Sequence, residues 1–179
     1  IAYKLLECGH KVIGISRSRI EIDDNNYRHE IVDVRETSNF NSFLGEPIIE
    51  EVDNFIFCVG TNDIATLDEI NEERIFNLYK INLIPAFHLL KRVSVLKNKK
   101  PKSVVLVSSI WSSFGIAGRS MYGTSKAALS ALSKHASAEI SKKSIFVNCI
   151  SPGFTKTDLT NKTKNDANII KSLQRTAFN

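Results

Sequence analysis

The sequence predicts a doubly wound parallel sheet with helices on both faces, a three-layer α/β/α arrangement. Two observations carry that expectation. Short apolar runs of strand length alternate with helix-period segments along the 179 residues. The run Ser103-Val104-Val105-Leu106-Val107-Ser108-Ser109 is continuously apolar from Val104 to Val107 between flanking serines, as a strand is when helices cover both of its faces.

The elements follow in order. Ile1 to Cys8 has apolar residues at 1, 2, 5, 6 and 8, a helical spacing, and Gly9 stops it. Lys11 to Ser16 is a short strand, and Asp23 to Arg28 is polar and turn-like. Glu30 to Val34 reads as a second strand, and Ser38 to Leu44 as a weak helix. Beyond Pro47, Asp53 to Gly60 is a buried-type strand of β-branched and aromatic residues with a terminal glycine. Asp68 to Leu96 is expected as one long helix, Tyr122 to Ile140 as an Ala- and Ser-rich one. Ser144 to Ile150 is a further strand, stopped by Pro152-Gly153, and a marginal helix lies near Asp166 to Leu173.

Composition excludes several classes. With 42% hydrophobic and 24% charged residues the chain is neither disordered nor fibrous, and its length suits one domain over 1–179. No apolar run approaches the roughly 20 residues that span a bilayer. The net charge is +5, and the densest basic run, Lys97 to Lys102, lacks interleaved aromatics. It reads as a solvated loop, with a polyanion site as the alternative, and no nucleic-acid or membrane partner is expected. Cys8, Cys58 and Cys149 form no CxxC pair, which points to a reducing, cytoplasmic setting without disulfides. The four histidines are scattered without metal-ligand spacing, so no metal is expected. The chain opens on Ile1, and its single methionine is Met121, so it reads as cut.

Ligands of such sheets bind beyond the carboxyl ends of the strands. Ser16-Arg17, Asp33-Val34, Cys58-Val59-Gly60, Ser108-Ser109 and Pro152-Gly153 are therefore expected along one edge. Tyr122 and Lys126 stand four apart, so one helix face carries both. An ammonium beside a phenol favours the phenolate, which suits proton exchange with a carbonyl or alcohol oxygen. Ser109, at a strand end, can hydrogen-bond that same oxygen.

Together, Val104 to Ser109, Gly115 and Tyr122-Gly123-Thr124-Ser125-Lys126-Ala127-Ala128 resemble the catalytic segment of the short-chain dehydrogenase/reductase family. Val147 to Thr157 is similar to its N-x-x-x-P-G-x-x-x-T segment, and Lys80-Ile81-Asn82-Leu83 to the segment carrying its fourth catalytic residue. The resemblance implies a Rossmann-type domain and an oxidoreductase that interconverts a small-molecule carbonyl and a secondary alcohol. It implies Tyr122 as acid/base, Lys126 on Tyr122 and on the nicotinamide ribose, and Ser109 on the substrate oxygen. Asn82 would hold a water that links Lys126 to solvent. Pro152, Gly153, Thr155 and Thr157 would contact the nicotinamide carboxamide, and Asp33 and Val34 would flank the adenine. Phe57, Cys58, Val59 and Gly60 stand where the family has N-N-A-G, with Gly60 keeping close backbone approach and Cys58 read as a small packing residue.

In dinucleotide-binding folds an acidic residue after the second strand grips a ribose hydroxyl, whereas arginine accommodates a 2′-phosphate. Here Ser16 stands in the acid's place and Arg17 follows, with Arg19 in support, which favours NADP over the alternative, NAD. The family's glycine-rich turn is absent, and Ile1 to Gly9 aligns with the helix after it. The first, central strand is thus expected to be missing, and Asp158 to Asn179 to begin a substrate loop. Trp111, Ser112 and Phe114 would line the substrate pocket. Ala127, Ala128, Ala131 and Ala138 suit the helix contacts of a homodimer or homotetramer. Two other readings stay open: a non-catalytic nucleotide sensor, motivated by the altered Phe57 to Gly60 segment, and a sugar-nucleotide epimerase or dehydratase sharing Tyr-x-x-x-Lys.

Overall fold

A computed structural model of the protein describes residues 1–97 and 102–155. The chain divides into two compact units, Ile1–Ile49 and the part from Glu50 onward.

The first unit holds a two-stranded parallel sheet and its helices. Helix α1 (Ala2–Glu7) ends where Gly9, at φ +80°, takes the left-handed conformation that other residues resist. Strand β1 (Val12–Ser16) runs parallel to β2 (Tyr27–Ile31), with Val12 opposite Tyr27 and Ser16 opposite Ile31. Helix α2 (Thr37–Leu44) buries Phe40, Phe43 and Leu44, one face of its turns. The short α3 (Ile48–Glu51) runs across the unit boundary and buries Ile49. Strand β2 begins three residues earlier than Glu30, and Asp33 and Val34 lie past its end. Parallel pairing with β1 sets this register, and it draws the polar Tyr27, Arg28 and His29 into the strand. Asp33 Oδ1 then accepts the Arg35 amide (3.0 Å), a local turn that ends extension.

The second unit is a three-stranded parallel sheet in the order β3 (Asn54–Phe57), β4 (Lys102–Val107), β5 (Ile145–Ile150). Phe55 pairs with Val104, and Val104 with Val147, so the buried positions of all three strands share one face. The alternate positions Ser103, Val105 and Val107 are half-buried, and Phe146 and Ile150 are exposed. Among the described residues the sheet is therefore not covered equally on its two faces, as the apolar run of β4 had suggested. Long α6 (Ser120–Ile140) packs along β5 and β4, burying Leu129, Ser133, Ala136 and Ile140.

The long helix expected over Asp68 to Leu96 is three pieces. Leu67–Glu69 is a single 3-10 turn, closed by a capping box between Thr66 and Glu69. Helix α4 (Glu72–Asn82) starts on an Asn71 cap, and α5 (Ile84–Ser94) follows after a break at Leu83. Pro85 explains the break, because it has no amide to give to the Ile81 carbonyl and its ring crowds that group.

Lys97 is exposed, and residues 98–101 lie outside the described residues. Lys102 departs from the solvated loop expected of its basic run. It is 2% exposed in β4, and its ammonium donates to the Glu50 and Val52 carbonyls. No described helix is long and apolar enough to cross a membrane.

Candidate active site

The site in the second unit is built around the N-terminal half of α6. Its helical spacing brings Lys126 Nζ to 5.9 Å from the Tyr122 ring centroid. Lys126 is only 4% exposed, and its ammonium donates to Val107 O (3.0 Å) and Val59 O (3.4 Å). Burial pulls its pKa down from 10.5 to about 8, against a smaller upward pull from the Cys58 and Cys149 sulfurs. The Val59 contact depends on Gly60, where a Cβ would stand 3.0 Å from the same Nζ.

Two loops bring β4 and β5 residues alongside α6. Ser109 caps the 3-10 turn Ile110–Ser112, its Oγ accepting the Trp111 amide at 3.3 Å. Gly123 lets α6 come close to that turn, because a Cβ there would lie 2.8 Å from Trp111 O. Tyr122 and Ser109 are thereby carried on two segments in direct contact. The Ile110 amide donates to Pro152 O (2.9 Å), and Phe154 meets Trp111 edge-on with centroids 5.7 Å apart. Pro152-Gly153 is thus tied to the Ser109 turn. Phe114 is largely exposed, whereas Trp111 and Ser112 are half-buried.

Asn82 closes the site from behind. It is fully buried at the end of α4, and its amide takes three hydrogen bonds. Oδ1 accepts from Thr61 N (2.7 Å), while Nδ2 donates to Thr61 O (3.0 Å) and Ser125 Oγ (3.0 Å). Both amide protons are spent, so on this side chain a water would find only the second lone pair of Oδ1. The next anchor along the loop is Asp63, paired with Arg74, which holds its carboxyl below the usual carboxylate range. Between these anchors, Asn62 Oδ1 is buried without a hydrogen-bond partner among the described residues.

Sequence reasoning missed Thr61, Ser125, Gly123 and the Asp63–Arg74 pair. Gly123 and Ser125 stand inside the recognised motif, but their reasons lie in residues distant in the chain. Cys58 is exposed, not the packing residue expected of it. Thr155 is exposed at the end of the described chain; Thr157 and the expected helix at 166–173 lie outside the described residues.

In the first unit, Ser16 Oγ donates to Ser18 O (2.7 Å) and lies 3.2 Å from His29 Nε2. Arg17 is exposed and makes no hydrogen bond or ion pair among the described residues. Asp33 is held in a bidentate pair by Arg35, which lowers its pKa, with Val34 half-buried beside it.

A family model described as short chain dehydrogenase matches residues 1–168. Carbonyl reductase family member 4 of Xenopus laevis is 32% identical over 117 residues, 65% of this chain. The 3-oxoacyl-[acyl-carrier-protein] reductase FabG of Buchnera aphidicola subsp. Schizaphis graminum (strain Sg) is 31% identical over 170 residues, 89% of this chain. The chain spans 50% of the length of the frog protein and 69% of that FabG. Among solved structures, a 4-hydroxyisoleucine dehydrogenase mutant complexed with NADH and succinate superposes with a TM-score of 0.86 at 21% identity. That match covers 97% of this chain and 75% of the other. ElxO with NADP bound gives a TM-score of 0.80 at 21% identity, covering 96% and 76%. These two likenesses show the shared Rossmann-like α/β fold.

Proposed function

This chain belongs to the short-chain dehydrogenase family of oxidoreductases, and from that premise we propose that it interconverts a small-molecule carbonyl and a secondary alcohol with NADP(H). The observation that carries the reading is the Tyr122–Lys126 pair. The ammonium is buried and oriented by two backbone carbonyls, while the Tyr122 hydroxyl makes no hydrogen bond among the described residues. The Ser109 hydroxyl accepts the Trp111 amide and gives its proton to no described group. Two free O–H donors and a third ammonium proton beside them match what a substrate oxygen and ribose hydroxyls need.

The donor set therefore fits a nicotinamide coenzyme, which when bound would supply or accept the hydride. The chain's own residues do the rest. Ser109 gives a hydrogen bond to the substrate oxygen and fixes its direction. Tyr122 delivers its hydroxyl proton to that oxygen during reduction and takes it back during oxidation. Lys126 attracts the charge that develops on the phenolic oxygen and would hold the nicotinamide ribose by its remaining ammonium proton. Asn82 holds the turn that covers Lys126. Val59, Gly60, Pro152, Gly153, Thr155 and Thr157 would border the nicotinamide, with Cys58 at the margin. Asp33 and Val34 would flank the adenine.

NADP is favoured over NAD because the Arg17 guanidinium, directly after Ser16, makes no hydrogen bond or ion pair among the described residues, which suits a 2′-phosphate. ElxO, by its own description, binds NADP, whereas 4-hydroxyisoleucine dehydrogenase binds NADH. Residues 1–179 are taken as one dinucleotide-binding domain. Exposed Phe76, Ile84 and Phe87 on α4 and α5, with Ala131 on α6, supply the surface for a homodimer or homotetramer. Free Cys8 and Cys58 suit a reducing, cytoplasmic setting.

The test is coenzyme turnover by the full chain against a panel of ketones, aldehydes and secondary alcohols. Tyr122→Phe should lower kcat at least about 100-fold, the general acid/base contribution. NADPH should give a higher kcat/KM than NADH. Unchanged turnover in Tyr122→Phe would sink the assignment, and a preference for NADH would sink the Arg17 reading alone.

A further inference from the structure

We propose that Ser125 is a positioning residue of this site, coupling the Gly60–Thr61 turn to the helical turn that carries Tyr122 and Lys126. This rests on the functional reading above but concerns a residue to which that reading gives no role.

Ser125 is fully buried in the second turn of α6, a place where serine has a lower helix propensity than alanine. Its hydroxyl is used in two directions. It donates to Tyr122 O (2.8 Å), three residues back, and accepts from Asn82 Nδ2 (3.0 Å), which lies 43 residues away in sequence. The second amide proton of Asn82 and its Oδ1 grip both backbone groups of Thr61. The chain of bonds therefore runs from the backbone of Thr61 through Asn82 and Ser125 to the backbone of Tyr122.

A neighbour on the same helix shows what a merely local serine looks like. Ser133 is also buried, yet the bond given for its hydroxyl runs to Ser130 O (2.9 Å), within its own helix. Ser125 alone of these two reaches a different element. What it fixes is the height of the Gly60–Thr61 turn above α6. That turn is close enough that a Cβ on Gly60 would stand 3.0 Å from Lys126 Nζ and 3.7 Å from Asn82 Oδ1. It also carries the Val59 carbonyl to which Lys126 donates. Loosening the coupling would let water reach the ammonium and let the Tyr122–Lys126 geometry wander. A displacement of about 1 Å at such a site costs on the order of 100-fold in rate, so partial loosening should cost about tenfold.

The charged and titratable groups around Lys126 are Tyr122 on its own helix, Cys58 after β3 and Cys149 on β5. None is altered by substituting Ser125, so the Lys126 midpoint reports the fit of the turn. The experiment is an NMR titration of the full chain with 13Cε-labelled lysine, in the wild type, Ser125→Ala and Ser133→Ala. Wild type and Ser133→Ala should titrate Lys126 at the same depressed midpoint. Ser125→Ala should move it up by about one pH unit, toward the ordinary lysine value, and lower kcat about tenfold. If Ser125→Ala does not fold, Ser125→Cys keeps a weak donor and acceptor at the same position, weakens both bonds and is read in the same way. A midpoint and kcat unchanged in a folded Ser125 variant would overturn the proposal, even if the melting temperature fell. A full chain with no turnover but a midpoint that moves only in the Ser125 variant would sink the oxidoreductase reading and leave the coupling standing.

Discussion

Replacing Lys126 by methionine should change how stability depends on pH, by an amount that the burial of the ammonium sets. In the native protein the Lys126 pKa stands at about 8, against 10.5 for the unhindered side chain. Below pH 8 the group is charged in both folded and unfolded chains, and the native state carries the full cost of burying the charge. As pH rises past 8 the folded protein releases that proton while the unfolded chain keeps it until near 10.5. The unfolded state then binds more protons, so stability must rise with pH in this window. The gap of about 2.5 between the two values corresponds to about 3.4 kcal/mol at most, at about 1.36 kcal/mol per pH unit. Between pH 7 and pH 10 about 2.5 kcal/mol of it should be realised. Urea unfolding of wild type and Lys126→Met, followed by circular dichroism at several pH values, isolates the effect. Other titrating groups cancel in the difference, as does the fixed cost of leaving the Val59 and Val107 carbonyls without a donor. Wild type should gain on Lys126→Met by roughly 2 to 3 kcal/mol across the interval. A difference that stays flat, or that falls as pH rises, would refute the buried-ammonium argument.

Two further outcomes follow from backbone geometry. Gly123→Ala would ordinarily strengthen a helix interior, but here its Cβ would lie 2.8 Å from Trp111 O. It should instead cost about 1–3 kcal/mol and lower kcat by separating Ser109 from Tyr122; a melting temperature above wild type would contradict this. Ser144 sits at φ +59°, in the left-handed region, between the 3-10 turn Ser141–Lys143 and β5. Ser144→Gly should therefore raise stability by about 0.5–1 kcal/mol in a chemical melt, with no change in turnover, and a loss of stability would show the strain to be imaginary.

Much of this fold could be read from local pattern, and the exceptions share a cause. The helix expected over Tyr122 to Ile140, the three apolar strands β3 to β5 and the Tyr122–Lys126 pairing all follow from spacing, because each is decided within a few residues. Strand β2 begins before its apolar pattern does, because Tyr27, Arg28 and His29 look like a polar turn until β1 lies beside them. The break at Leu83 was legible, since Pro85 announces it, but apolar periodicity continues across the break and hid it. The sequence reads Cys58 as a packing residue because cysteine usually is one, whereas in the folded chain it is exposed. Ser125 and Thr61 could not be assigned from sequence at all. Their partner is Asn82, and nothing local in either segment names it.

The burial of Lys102 has a consequence for how opening of this protein can be watched. A lysine is a cleavage point for trypsin and a target for amine-acylating reagents, and most lysines answer to both at the rate of simple encounter. Lys102 will not, because its ammonium is lodged against the Glu50 and Val52 carbonyls and its backbone is paired with Ile145 of β5, while the next residue, Ser103, pairs with β3. To be reached it must leave the middle strand of the three, and that strand cannot come out while its neighbours remain paired. Lys142 and Lys143, exposed in the turn before β5, answer at once and supply an internal clock. The ratio of the two reaction rates in a single digest therefore separates fraying of the surface from opening of the sheet itself.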